Sequence, residues 1–281
     1  MMIVDSQVHI WGANTPQRPW PERAKPHRDT PVGHEEMLGW MDRAGVQRAV
    51  IVPPSWEGDR NDLAIAAALA HPDRFAVMGR FDPDASDARE TMQGWLEQPG
   101  MLGMRFAFHL PALQQPLIEG RYDWVWRAAE ALGIPLMILV RQAMIPRIDA
   151  MAALHPGLRI VMDHMALDAG KTEDENFRDF DSLLALARRP NVAVKATALP
   201  KYTAGQYPFL RIQDQVRRVH QAFGPKRLFW GSDITHSRVP YMQHIDMWLH
   251  EAEWLPLEDK AWVMGRGIME WLGWSPQRPA G

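Results

Sequence analysis

Short apolar runs alternate with amphipathic stretches along most of this chain. Residues 49–52 and 134–140 are continuously apolar, as strands buried on both faces of a sheet should be. Each run is too short to cross a membrane and has the length of a core strand. The pattern predicts strands near residues 2–10, 47–53, 75–81, 102–108, 134–140, 158–163, 191–196 and 227–231.

Stretches with helical spacing lie between these runs. Met37, Leu38 and Met41 form one apolar stripe, and Gly133 stands where a helix would end in a C-cap. The spacing predicts helices over 34–44, 61–70, 84–97, 122–132, 145–154, 174–188, 206–223 and 241–253, with an additional C-terminal helix over 257–272.

Alternating strands and helices predict an α/β fold with a parallel sheet. No glycine-rich turn follows the first strand, so we predict a closed TIM-like (β/α)8 barrel of the metallo-dependent hydrolase type instead of an open sheet. The 281 residues fit a single barrel domain over 1–281. Residues 12–33 hold five prolines and form a long first β–α loop, which we expect to be a lid or a pocket wall over the barrel mouth.

Composition limits the class of partner. The formal net charge is −3, and no basic run is present, which argues against nucleic acid or an anionic membrane as the main partner. The absence of cysteine excludes disulfides and thiolate metal sites. No secretory signal is recognised, so we predict a cytoplasmic protein whose partner is a small molecule. The 13 tryptophans leave a homo-oligomer open.

Polar side chains follow three of the predicted strands. Asp5, Gln7 and His9 alternate along the first strand, so we expect them to point to the same side. His164 follows the sixth strand, and Asp233 follows the eighth. The carboxyl ends of barrel strands share one edge, where active sites lie, and three such groups there favour a hydrolase. The alternatives are a structural role for each histidine and a helix cap for Asp233.

Cations also follow strand ends. Arg105, Arg141 and Lys195 could bind an anionic group of a substrate, or could form salt bridges with acids of the barrel. Tyr202 and His236 follow strands in loops, where either a substrate contact or a surface position fits.

The first-strand motif, Asp163-His164 and Gly231-Ser232-Asp233, in this order, resemble the amidohydrolase superfamily, and in particular the lactonase-like branch of amidohydrolase family 2. The resemblance covers roughly residues 2–274 and implies a distorted (β/α)8 barrel. Members commonly carry His-x-His on strand one, which helps to hold divalent metals. Gln7 occupies the first histidine position here, and an amide is a poor zinc ligand.

The resemblance implies hydrolysis of a lactone that bears an anionic group. Asp233 would activate water, His9 and His164 would polarise the carbonyl with Gln7 as a further donor, and the cations would hold the anion. No cofactor is favoured. The alternative is one zinc ion held by His9, His164 and Asp233. A metal-dependent decarboxylase of an aromatic or unsaturated acid, and a degenerate barrel that only binds a small acid, are the competing functions.

Overall fold

The computed structural model of this protein describes residues 1–22, 24–109 and 111–275. Residue 23 of the predicted loop and residues 276–281 of the predicted domain lie outside them. Eight strands of the described chain pair in parallel in the order of the sequence. They are β1 Val4–Val8, β2 Arg48–Ile51, β3 Phe75–Arg80, β4 Met101–Phe106, β5 Leu136–Ile138, β6 Ile160–Met162, β7 Val192–Thr197 and β8 Leu228–Gly231.

The two edges of this sheet meet. The backbone N–H of Asp233 donates to the carbonyl oxygen of Gln7 at 3.0 Å, and that of Ser232 donates to Oδ1 of Asp5 at 2.9 Å. The eight strands therefore form a nearly closed barrel, which confirms the predicted α/β barrel fold.

Helices surround the sheet. They are α1 His34–Ala44, α2 Asp62–Ala70, α3 Ala88–Gln93, α4 Pro111–Ile118, α5 Asp123–Leu132, α6 Ile145–Leu154, α7 Glu173–Arg178, α8 Asp181–Ala185, α9 Leu210–Phe223, α10 Tyr241–Asp246, α11 Leu257–Ala261 and α12 Gly267–Leu272. None of those in the described part of the chain has the length and hydrophobicity that crossing a membrane requires.

Several predicted helix boundaries are wrong. The single helix predicted over 174–188 is α7 and α8 followed by a short 3₁₀ turn, and the one over 84–97 begins only at Ala88. The helix predicted from 206 begins at Leu210, because Pro208 interrupts the helical hydrogen bonds before it. Helix α4 was not predicted, since Pro116 lies inside it.

The barrel interior is filled by one apolar cluster, which contains Val4, Val50, Met78, Met137 and Phe229. Ile268, Leu272 and Trp274 pack against the same cluster, so the C-terminal segment covers one end of the barrel. The opposite end is left for the loops that follow the strands, where the predicted site residues lie.

The predicted alternation on β1 is wrong at its start. Val4 packs inside the barrel, whereas Val8 packs in the larger cluster between the sheet and the helices. Strict alternation would place both on one side, but the pairing with β2 shifts register between Asp5 and Val8. The carboxylate of Asp5 therefore contacts Ser232 and Tyr241 and does not reach the barrel mouth with Gln7 and His9.

Candidate active site

His9 and Asp233 form the centre of the site. Nε2 of His9 lies 3.2 Å from Oδ1 of Asp233, and both side chains are buried. Nδ1 of His9 contacts the carbonyl oxygen of Val52, which can only accept, so Nδ1 carries a hydrogen. At 3.2 Å, Nε2 of His9 is close enough to Oδ1 of Asp233 for a proton to pass between the imidazole nitrogen and the carboxylate oxygen. An acid–base pair therefore stands at the end of β1 and β8.

Gln7 lies between the two imidazoles. Its Nε2 is 3.5 Å from Nε2 of His9 and 3.3 Å from Nε2 of His164. Its Oε1 accepts from Nζ of Lys195 at 2.6 Å. An ammonium group can only donate, so Lys195 fixes which end of the amide faces the histidines. The NH₂ group of Gln7 therefore points at both imidazole nitrogens.

Lys195 also belongs to a buried charge network. Its Nζ lies 2.8 Å from Oδ1 of Asp163, and Nε of Arg105 donates to Oδ2 of the same carboxylate at 3.1 Å. Burial alone would raise the pKa of Asp163, but the charges of Lys195 and Arg105 hold it at about 2. Two cations share one carboxylate, so the network carries a surplus positive charge at the base of the mouth.

His164 is held as a neutral imidazole. Burial lowers its pKa to about 4, against the favourable charge of Asp163. Its Nδ1 contacts Oγ1 of Thr197 at 2.6 Å. The backbone at His164 has φ 52°, a left-handed conformation that is costly for a residue with a Cβ atom. This turn directs the ring from the end of β6 toward Gln7.

Asp233 has the same backbone conformation, with φ 51°. Burial opposes ionisation of Asp233, but the charge and hydrogen bond of His9 lower the pKa of this carboxyl well below its usual range. Its position depends on Asp5, whose Oδ2 accepts from the Tyr241 hydroxyl at 2.6 Å and whose Oδ1 accepts from Ser232 N–H. Burial raises the pKa of Asp5, and its hydrogen bonds with Ser232 and Tyr241 hold the start of β1 against the end of β8.

The first β–α loop contributes a residue that the sequence interpretation missed. His27 packs on His236 with ring centroids 4.1 Å apart and lies against Trp56 at 4.7 Å and His9 at 5.5 Å. Its Nδ1 contacts Oγ1 of Thr235 at 2.9 Å. Burial lowers the pKa of His27 to about 3, so it is neutral. A histidine among five prolines gave no signal in the sequence, because its neighbours come from distant loops.

The other predicted substrate contacts are more dispersed. Tyr202 is buried, with its ring 6.0 Å from that of His164. His236 is exposed on the outer side of the mouth and packs against His27 with the two rings tilted by 31°. Arg141 does not join the buried cluster: its side chain is 51% exposed and pairs with Asp168 at 3.3 Å. A substrate would have to reach out over the mouth to touch Arg141, whereas Arg105 lies within it.

The amidohydrolase family model matches residues 4–273. The chain belongs to this family. It is 30% identical over 252 residues to an L-fucono-1,5-lactonase of Burkholderia ambifaria, with 84% of this chain and 81% of the relative covered. It is 27% identical to a 4-sulfomuconolactone hydrolase of Rhizobium radiobacter, with 83% and 75% covered. The prediction of an amidohydrolase-type hydrolase is thus confirmed.

A solved amidohydrolase from Burkholderia multivorans with bound zinc has the same fold, with a TM-score of 0.80, 18% identity, and 97% of this chain and 99% of that chain covered. One feature of His9 suits a metal ligand, since its other ring nitrogen donates to a backbone carbonyl.

The space between the candidate ligands does not suit a cation. The NH₂ group of Gln7 faces both imidazole nitrogens and is held there by Lys195. Within the described residues, the ligand atoms of His9, His164 and Asp233 do not all approach one another within 4.8 Å. A three-residue metal centre would require Gln7 to rotate away from Lys195.

Proposed function

We propose that this amidohydrolase opens a lactone that bears an anionic group, without a catalytic metal. The observation that supports it best is the meeting of the His9–Asp233 pair with the amide of Gln7, beside a buried network that carries surplus positive charge. The two curated relatives are lactone hydrolases by name. Lactone hydrolysis needs a base for the attacking water and hydrogen-bond donors to the carbonyl oxygen.

Asp233 is the base in this proposal. Oδ1 faces His9, and Oδ2 accepts from no group of the described residues, so it is open to a water molecule. As the water attacks the lactone carbonyl, Oδ2 takes its proton and then passes it to the ring oxygen as the carbon–oxygen bond breaks. The products are the open hydroxy acid and the regenerated carboxylate.

The carbonyl oxygen is polarised by hydrogen-bond donors at the same mouth. Gln7 offers an N–H that is already oriented by Lys195, and His9 offers Nε2–H when it holds the shared proton. His164, neutral and hydrogen-bonded to Thr197, accepts from the other N–H of Gln7 and so acts through that amide. Each pre-oriented donor to a developing oxyanion is typically worth about 3–4 kcal/mol.

Arg105 is the group that would recognise the substrate's charge. Its Nε is used by Asp163, while its two terminal nitrogens donate to nothing else in the described part of the chain. A planar guanidinium with free terminal nitrogens suits a carboxylate or sulfonate. The surplus positive charge of Arg105, Lys195 and Asp163 together adds to the attraction for an anionic substrate. Arg141 would add a further positive charge at the rim of the mouth.

The decisive test is a panel of sugar, muconate-derived and pyrone lactones assayed by acid release, with wild type and Asp233→Asn. We expect turnover of at least one anionic lactone, and a fall in kcat of about 10²–10⁴-fold in the variant. Asp73→Asn, which changes a distant exposed carboxylate, is the matched control. Normal turnover by Asp233→Asn would refute the base assignment.

Two further readouts separate the competing functions. Full activity after chelator treatment, with metal content measured on the same sample, supports the metal-free reaction, whereas activity restored only by zinc supports a centre of His9, His164 and Asp233. Release of carbon dioxide from aromatic acids without lactone hydrolysis would identify a decarboxylase. Tight binding of a small acid with no turnover would identify a binding protein.

A further inference from the structure

A second group of metal-competent side chains lies outside the barrel mouth. His34 and Glu35 begin α1, and His71 directly follows α2. Nε2 of His34 and Nε2 of His71 lie 3.3 and 3.4 Å from the same oxygen of Glu35, and all three ligand atoms lie within 4.8 Å of one another. We propose that these three side chains form a binding site for a divalent transition metal of the zinc class.

The spacing fits tetrahedral coordination. Nitrogen and oxygen ligands about 2.0–2.1 Å from zinc lie roughly 3.4 Å from each other at the corners of a tetrahedron. The distances from Oε1 of Glu35 to Nε2 of His34 and of His71, 3.3 and 3.4 Å, match that value. The ring centroids of His34 and His71 lie 5.5 Å apart at an interplanar angle of 52°. The two imidazoles therefore approach the proposed metal position from different sides. Coordination then needs only small side-chain rotations.

The chemistry of the set also fits. Two neutral imidazoles and one carboxylate are ligands that zinc accepts, and their exposure leaves a fourth position for water. The side chains of His34 and His71 are 33% and 30% exposed. The neighbouring carboxylate, Glu36, is held by two hydrogen bonds from Arg28 at 2.8 and 2.6 Å. Glu35 is therefore the carboxylate of this turn that remains available to a metal.

This site and the proposed reaction are separable. The three ligands lie on α1 and at the end of α2, and none belongs to the barrel-mouth residues assigned to catalysis. A zinc ion found in the purified protein would on this proposal be bound at the helix surface, where it joins the first two helices. Zinc content alone would then say nothing about the reaction mechanism.

The test measures zinc binding to the metal-stripped full chain by calorimetry and equilibrium dialysis. Wild type is compared with His71→Ala, Glu35→Gln, His9→Asn and the control His250→Ala, whose imidazole is exposed elsewhere. We expect one ion per chain in wild type. Loss of one ligand should weaken binding by more than about 100-fold, because loss of an outer hydrogen-bond partner alone typically costs about 10–100-fold. His9→Asn and His250→Ala should bind as wild type does.

Glu35→Gln keeps the proposal testable if His71→Ala folds poorly, because the side chain of Glu35 is 77% exposed. The melting temperature should rise with zinc in wild type and not in Glu35→Gln, since only the folded wild type binds the ion. The proposal is overturned if no zinc binds, or if His9→Asn abolishes binding that His71→Ala leaves intact. Neither result depends on whether lactones are hydrolysed.

Discussion

At the scale of single residues, Lys195 connects buried polar groups of three strands. It is completely buried and joins β7 to Gln7 of β1 and Asp163 beyond β6. Burial lowers the pKa of Lys195, and the neighbouring Asp163 opposes that shift. The ammonium group thus orients the amide that faces His9 and His164, while it neutralises a carboxylate inside the barrel.

Lys195→Met should destabilise the protein. It removes a charge partner from Asp163 and leaves that carboxylate with Arg105 alone, and the loss of one partner of a buried pair typically costs about 3–5 kcal/mol. Urea unfolding measures the free energy of unfolding. The exposed Lys171→Met is the control and should change it by less than about 0.5 kcal/mol. Equal stability of the two variants would show that the network is not needed for folding.

At the scale of elements, the first β–α loop is held at both sides of the mouth. Gly12 N–H donates to Glu57 at 2.8 Å, Arg60 donates to the carbonyl of Pro19 at 3.0 Å, and His27 contacts Thr235. An antiparallel bridge between Trp11 and Val32 closes the base of the loop. These contacts favour the pocket wall over the mobile lid, the other role expected from the sequence.

His27→Ala should loosen that wall and raise KM. The substitution removes the ring that packs against His236 and Trp56, while Asp233 and Gln7 keep their own partners. We expect KM for the best lactone to rise about fivefold and kcat to change less than about twofold, as for a loss of uniform binding. His250→Ala should leave both constants unchanged. An equal fall in kcat and kcat/KM would instead place His27 in the reaction.

At the scale of the whole molecule, stability depends on buried neutral histidines. Burial lowers the pKa of His164, His109 and His244 to about 4 in each case. The unfolded chain binds protons at these positions below its ordinary pKa of about 6.5, and the folded chain does not until about pH 4. The free energy of unfolding should therefore fall as pH decreases from about 6.5 to 4.

His164, which is buried, should account for a loss on the order of 3 kcal/mol in the free energy of unfolding over that interval. The raised pKa of Asp5 has the opposite effect on the free energy of unfolding. It concerns one carboxyl group, whereas several histidines contribute to the loss. Urea titrations at pH 7, 5.5 and 4.5 measure the change. His164→Gln should flatten the pH dependence even if it lowers stability overall. A free energy of unfolding that is constant across this range would contradict the assignment.

The predicted order of strands and helices holds because burial of each element leaves a local pattern. Strands that face both the barrel interior and the helices are mostly apolar, so the run 134–140 could be recognised from the sequence. The predicted helix boundaries differ from the structure where a proline interrupts the helical pattern of the sequence. Examples are Pro116 inside α4 and Pro208 before α9.

The sequence by itself determined the barrel, its family resemblance and the candidates His9, His164 and Asp233, because each follows an apolar run and chain order alone brings parallel strand ends together. Only the tertiary structure decided which groups pair. The register shift in β1 turns Asp5 away, the left-handed backbone at His164 and Asp233 directs their side chains, and contacts between distant loops place His27. These depend on packing between residues far apart in the chain, which leaves no local pattern to read.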